Sequence, residues 1–173
     1  MKKIVIVITA LLAFIGTLSA QKIAYINTED ILNEIPSYVS AQNQLNTLSD
    51  KYKAAIETEL GKIESLYQVY QTSRGSMTAA QRKSAEDEII AKERVVQEKQ
   101  KIYFGEDGIM AKKAEELLAP IRDRVNRVIE AVAKKGGYDL VLDLAALQGV
   151  VYKRDAIDLT EIVTELVLQN ENN

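Results

Sequence analysis

From Ser40 to Gln71 the chain has neither a proline nor a turn cluster, and apolar residues recur at Leu45, Leu48, Tyr52, Ile56, Leu60, Ile63, Leu66 or Tyr67, and Tyr70. The seven steps from Leu45 to Tyr70 average about 3.6 residues, the spacing of one side of an α-helix and close to a coiled-coil seam. At about 1.5 Å per residue this helix is roughly 45 Å long. That is too long for the small remainder of the chain to wrap, so the helix must project and cover its seam with another helix. Ser73-Arg74-Gly75-Ser76 supplies a turn, and Thr78 caps a second helix opening Ala79-Ala80-Gln81-Arg82. The returning arm carries a thinner stripe, Ala85, Ile89, Val96 and Tyr103, among charged residues. An antiparallel helical hairpin is predicted; symmetry about its turn sets Tyr70 opposite Gln81 and Leu45 opposite the region of Glu106.

Short β-prone runs flank the hairpin. Lys22-Ile23-Ala24-Tyr25-Ile26-Asn27 reads as a strand buried on both faces, with Tyr138-Asp139-Leu140-Val141-Leu142-Asp143 and Val150-Val151-Tyr152-Lys153 as a second and a third. Thr28 is placed to cap the helix after the first strand, Pro36 to interrupt it and Ser37 to restart it. Gly105 and Gly108 each cost about 1 kcal/mol relative to alanine inside a helix, which predicts a bent stretch around Glu106-Asp107. Pro120 predicts a kink in the series Leu117, Leu118, Ile121, Val125, Val128, Ile129 and Val132. Gly136-Gly137 ends that helix behind Lys134 and Lys135. Asp158 caps a last helix whose buried stripe is Ile162, Val163, Leu166 and Val167. The fold class is α+β, mostly helical: a small sheet body from residues 21–40 and 111–173, with the hairpin of residues 41–110 inserted between its first and second strands.

Residues 1–20 read as a secretory signal peptide: Lys2 and Lys3, an apolar run from Ile4 to Ala13, then small and polar residues, leaving Gln21 first after cleavage. The apolar run falls short of the roughly 20 residues a spanning helix needs, so a soluble exported protein is expected. Without the leader the chain has 20 basic and 25 acidic residues, a net charge of −5, and no overall basic footprint for nucleic acid. The chain has no Cys, His or Trp, which excludes thiol chemistry, disulfides, imidazole or thiolate metal sites and histidine acid/base work. A rod and a small sheet offer no concave site, so neither an enzyme nor a cofactor is expected.

Three short strands and two helix ends drawn from some 70 residues make a body that buries only about 60 % of its surface. The strands alternate poorly between apolar and polar residues, so both sheet faces need cover that one copy lacks. Self-association is therefore predicted, with Ile23, Tyr25, Ile26, Leu140, Val141, Leu142, Val150 and Val151 in the core of the assembled body.

In its order of parts the chain resembles the Skp/OmpH family of periplasmic chaperones over essentially the whole length after the leader. The resemblance rests on Lys22-Ile-Ala-Tyr-Ile-Asn27 following a signal peptide, a long charged hairpin, and Tyr138-Asp-Leu-Val-Leu-Asp143. It is completed by Val150-Val-Tyr-Lys153 and by Asp158-Leu-Thr-Glu-Ile-Val163 opening the last helix. It implies a homotrimer with a β-barrel-like body and three helical tentacles around a cavity, holding unfolded outer-membrane proteins in the periplasm without ATP. Best-known members are strongly basic, whereas residues 41–110 here carry 10 basic and 11 acidic residues. That balance leaves an alternative open, a structural or adaptor coiled-coil protein of the envelope binding one folded partner.

A holdase needs adaptable apolar contacts and no deep pocket; Tyr67, Val69, Tyr70 and Met77 near the hairpin tip are the client-facing candidates, against packing of the hairpin itself. Arg74, Arg82 and Lys83 make the tip locally basic, a candidate contact for membrane or lipopolysaccharide headgroups against a solvated turn. Glu86-Asp87-Glu88 and Glu106-Asp107 lack the ligand spacing of an EF-hand and read as a solvated face. Asp139 and Asp143, four apart on one strand, read as strand-end solubilisers.

Overall fold

The computed structural model describes residues 21–171, so the leader lies outside the described residues. The elements are β1 (Ile23–Ile26), α1 (Thr28–Asn33), α2 (Pro36–Ser73), α3 (Ala79–Phe104), α4 (Ile109–Gly136), β2 (Leu140–Asp143), a 3₁₀ turn (Asp155–Ile157) and α5 (Thr160–Glu171). They fall into two compact units, one of residues up to Ile31 and from Arg127 onward, the other of Leu32–Asn126.

In the first unit β1 and β2 pair in parallel, Ile23 with Leu140 through Ile26 with Asp143. Parallel neighbours need a long connection, and here it is the entire helical segment between them. The ladder extends at both ends, Asp139 N donating to Lys22 O and Leu144 N to Ile26 O, each at 2.8 Å. The other edge of β1 is occupied too: Leu159 N donates to Tyr25 O at 2.9 Å and Tyr25 bridges to Asp158. Flanked on both sides, β1 buries Ala24, Tyr25 and Ile26.

Side chains from distant sequence clamp this unit. Asp143 accepts from Thr28 N at 3.1 Å and Thr28 Oγ1 at 2.6 Å, and Asp139 accepts from Lys22 N at 2.7 Å. The two aspartates therefore tie β2 to the two ends of β1, at Lys22 and at the start of α1, and are not free solubilisers. With its hydroxyl committed to a carboxylate, a charge-assisted bond stronger than a neutral cap, Thr28 does not cap α1. Asn27 does, accepting from Glu29 N at 3.1 Å and Asp30 N at 3.4 Å. α4 ends as its glycines predict: Gly137 takes a positive φ of 64°, and Tyr138 N and Gly137 N return to Ala133 O and Lys134 O. On α5 the buried residues are Val163 and Val167, continuing four-residue steps from the buried Leu159 just before the helix, while Ile162 and Leu166 face out.

The third strand does not form. Val150–Lys153 is irregular and open, with Val151 99 % and Tyr152 82 % exposed. The adjoining turn is held at the β1 side of the sheet, where Lys153 Nζ lies 4.9 Å from the Tyr25 ring centroid and 3.6 Å from Asp158.

The helix begun at Thr28 is interrupted as expected, ending at Asn33, and in the second unit Pro36 itself opens α2. It occupies the first helical turn, where a missing N–H costs nothing, so Ser37 restarts nothing. The 38 residues of α2 give a helix about 57 Å long. Ser76 closes the turn through its amide at 3.0 Å and its hydroxyl at 2.9 Å to Ser73 O. Thr78 and Gln81 form a reciprocal capping box at the start of α3. The break after α3 falls at Gly105–Gly108, and packing explains both glycines. A Cβ on Gly105 would lie 2.4 Å from Lys101 O, and one on Gly108 2.9 Å from Gly105 O and Ile102 O. α4 continues through Pro120, whose ring is exposed.

Candidate functional site

The hairpin seam is assembled from two seven-residue repeats, Ile56, Ile63 and Tyr70 on α2 and Ile89, Val96 and Tyr103 on α3. Leu66, Met77 and Ala85 pack against the same cluster. Tyr52 stacks on Tyr103 with ring centroids 4.1 Å apart and meets Phe104 edge-on at 6.4 Å. One polar layer interrupts the apolar ones: Lys99 Nζ reaches Glu59 at 3.2 Å, and Lys62 approaches the same carboxylate at 3.4 Å. The hydrogen bond from Lys99, with the charge of Lys62, holds the Glu59 carboxyl below its ordinary range.

The register differs from two-fold symmetry about the turn. The Tyr70 hydroxyl donates to the Glu86 carboxylate, five positions beyond Gln81. Helical side chains lean toward their own N-terminus, so those of α2 lean away from the tip and those of α3 toward it, and contacts shift accordingly. The bond to Glu86, then burial, raises the Tyr70 pKa.

Tyr70 thus belongs to the seam, with Met77 packed on it, whereas Tyr67 and Val69 are 48 % and 60 % exposed. Leu60, expected in the seam, is also exposed, because Ile56 and Ile63 fill that side. So are Ile90, Val95 and Ile102 on α3. Leu60 and Tyr67 are seven residues apart, as are Val95 and Ile102, so each pair forms a line along its helix beside the seam. Sequence reasoning missed Leu60, Ile90, Val95 and Ile102. The signal for two of them was the apolar doublet Val95-Val96, answered seven residues later by Ile102-Tyr103. A groove of about 880 Å³ in the same unit, lined by Pro36, Val39, Asn43, Leu48, Lys51 and Leu117 among others, adds a further open apolar surface.

The basic tip residues are largely engaged. Arg82 donates from Nε and Nη2 to Met77 O at 3.2 and 3.1 Å, and Lys83 pairs with Asp87 at 2.8 Å, which raises the Lys83 pKa. Arg74 lies 6.0 Å from the Tyr70 ring centroid and is exposed. The acidic run 86–88 divides its partners among Tyr70, Lys83 and Lys92. Among the described residues no His, Cys, Asp or Glu cluster is arranged to hold a metal ion, and no helix is long and apolar enough to cross a membrane. Of the expected body core, Tyr25 and Ile26 are buried and Val141 half-buried, while Ile23, Leu140, Leu142, Val150 and Val151 are exposed.

The family model described as outer membrane protein (OmpH-like) matches residues 22–167. The chain is 27 % identical to the chaperone protein Skp of Pectobacterium atrosepticum over 149 residues, covering 86 % of this chain and 87 % of that protein. It is also 27 % identical to the chaperone protein Skp of Photorhabdus laumondii over 157 residues, covering 90 % and 92 %. A crystal structure described as an OmpH-like outer membrane chaperone from Caulobacter crescentus shares the fold, with a TM-score of 0.65 at 14 % identity over 91 % of this chain and 90 % of that one.

Proposed function

The chain belongs to the OmpH-like outer membrane chaperone family, and on that premise we propose that it is an ATP-independent periplasmic holdase for unfolded outer-membrane proteins. The observation that carries the reading is that the hairpin fills its own seam and still leaves a second set of apolar residues in solvent, Leu60, Tyr67, Val69, Val95 and Ile102. A helix stabilised by its partner has no internal need for these residues. Set in lines between charged neighbours, they offer many weak contacts that a client can make and break, with affinity from their number. Leu140 and Leu142 on the body, open in one copy, support assembly into a homotrimer, with clients held in the cavity between three hairpins. Tyr67 and Val69 carry client contact near the tip, while Tyr70 and Met77 hold the hairpin there. Of the tip cations, Arg74 is the one left for anionic headgroups.

The purified chain is expected to suppress aggregation of a denatured outer-membrane β-barrel diluted from urea, at stoichiometric ratio and without nucleotide. Unchanged light scattering across a tenfold excess of folded protein would remove the holdase reading. The near-equal charge of the arms favours the second reading, an adaptor for one folded partner. Crosslinking in cells separates the two, since a ladder of many barrel proteins supports the holdase and one dominant soluble partner the adaptor.

A further inference from the structure

We propose that Gln21 is a modification site: once the leader is removed, its α-amine closes onto its own side-chain amide and leaves the exported chain with an N-terminal pyroglutamyl lactam. The proposal rests on the reading of residues 1–20 as a cleaved leader, in which the small residue Ala20 precedes the cut and Gln21 follows it. Glutamine is the amide side chain whose length brings Cδ to the amine in an unstrained five-membered ring. The neutral amine attacks Cδ, a C–N bond forms, the bond from Cδ to Nε2 breaks, and Nε2 leaves as ammonia with the proton that the amine gives up. No oxidant, metal or second substrate enters. An α-amine titrates at about pH 7.7–8.0, so part of it is neutral and nucleophilic at pH 7.

The fold leaves room for the ring and gives it a use. Gln21 lies before β1 in exposed, irregular backbone, so amine and side chain can meet. The first atoms the body needs belong to the next residue. Lys22 N donates to Asp139 at 2.7 Å, Lys22 O accepts from Asp139 N at 2.8 Å, and Lys22 Nζ donates to Gly136 O at 2.6 Å and lies 4.3 Å from the Tyr138 ring centroid. Ring closure consumes only the amine and the side-chain amide of Gln21, so the Lys22 N–H stays in place for Asp139. A chain terminus is ordered only where it is tied down, and here the tie begins one residue from the new end. An aminopeptidase that removed Gln21 and Lys22 would strip all of these contacts. The lactam offers such an enzyme no primary amine and carries no terminal positive charge.

The test uses the full chain, exported by a bacterium through its own leader and purified from the periplasm. Intact mass and amino-terminal sequencing are read before and after treatment with pyroglutamyl aminopeptidase. The expected product begins at residue 21, weighs one ammonia less than its sequence requires, is closed to sequencing, and reads from Lys22 after the treatment. Gln21→Asn, whose shorter side chain would need a four-membered ring, is expected to keep its full mass and to sequence from residue 21. A broad aminopeptidase is expected to trim that variant through Lys22 and to leave the parent intact; equal resistance of the two would overturn the protective use of the ring. A parent that begins at Gln21 and still carries its full mass after prolonged incubation at neutral pH overturns the lactam and leaves export standing. A parent that keeps its leader, or is cut elsewhere, overturns both.

Discussion

Asp158 shows how one side chain serves two elements. Its Oδ1 accepts from Thr160 N at 2.9 Å and Thr160 Oγ1 at 2.6 Å, while Thr160 Oγ1 in turn accepts from Asn27 N at 3.0 Å, linking the start of α5 to the end of β1. Burial alone would raise its pKa, but the Thr160 hydrogen bonds and then Lys153 outweigh burial and hold the carboxyl below its ordinary value of 3.8. A depressed folded-state pKa means that the stabilisation is complete above the unfolded-state value and is lost as pH falls through the folded one. Asp158→Asn, which keeps an acceptor and removes the charge, is therefore expected to lower the urea midpoint at pH 7. The gap to the parent should close as pH drops below 3.8; a gap independent of pH would show that the charge is immaterial. The link from Asp158 to the start of the last helix was legible because such bonds are local. The Thr28 to Asp143 clamp spans 115 residues, and no local rule could announce that this hydroxyl was already taken.

At the scale of elements, the two helices of the hairpin, their turn and the cap at Thr78 were all legible, since periodicity and caps act within a few residues. The seam was legible only in part. Leu60 fits an average spacing near 3.6, but the helices meet along a seven-residue repeat that the fitted partner selects, and Leu60 lies outside it. Glycines separate in the same way. Gly61 sits in the middle of α2 with open space for 4 Å around the position of an added methyl, whereas Gly105 would drive one onto a backbone carbonyl. Gly61→Ala is expected to stabilise the protein by about 1 kcal/mol and Gly105→Ala to destabilise it by about 1–3 kcal/mol. Urea denaturation compares the two directly, and an equal response would refute the steric account of the break.

For the molecule as a whole, the holdase reading separates residues that hold the hairpin from residues that meet a client. Replacing Leu60, Tyr67, Val95 and Ile102 together with glutamine, a good helix former, is expected to leave the thermal midpoint within a few degrees and to weaken aggregation suppression several-fold. Ile63→Gln, inside the seam, should instead lower stability by about 2–4 kcal/mol. Loss of stability without loss of suppression in the fourfold variant would show that these residues pack and do not bind. The sequence by itself determined the helices, their turn, the two strand segments that pair and the absence of cysteine and histidine chemistry, because propensity, capping and composition are local or additive. Only the tertiary structure decided which apolar residues enter the seam, which aspartates become clamps, and that Val150–Lys153 stays unpaired while the edge of β2 stays open. Those outcomes depend on which distant group reaches a given donor, face or edge first, and a chain read in one dimension carries no distances.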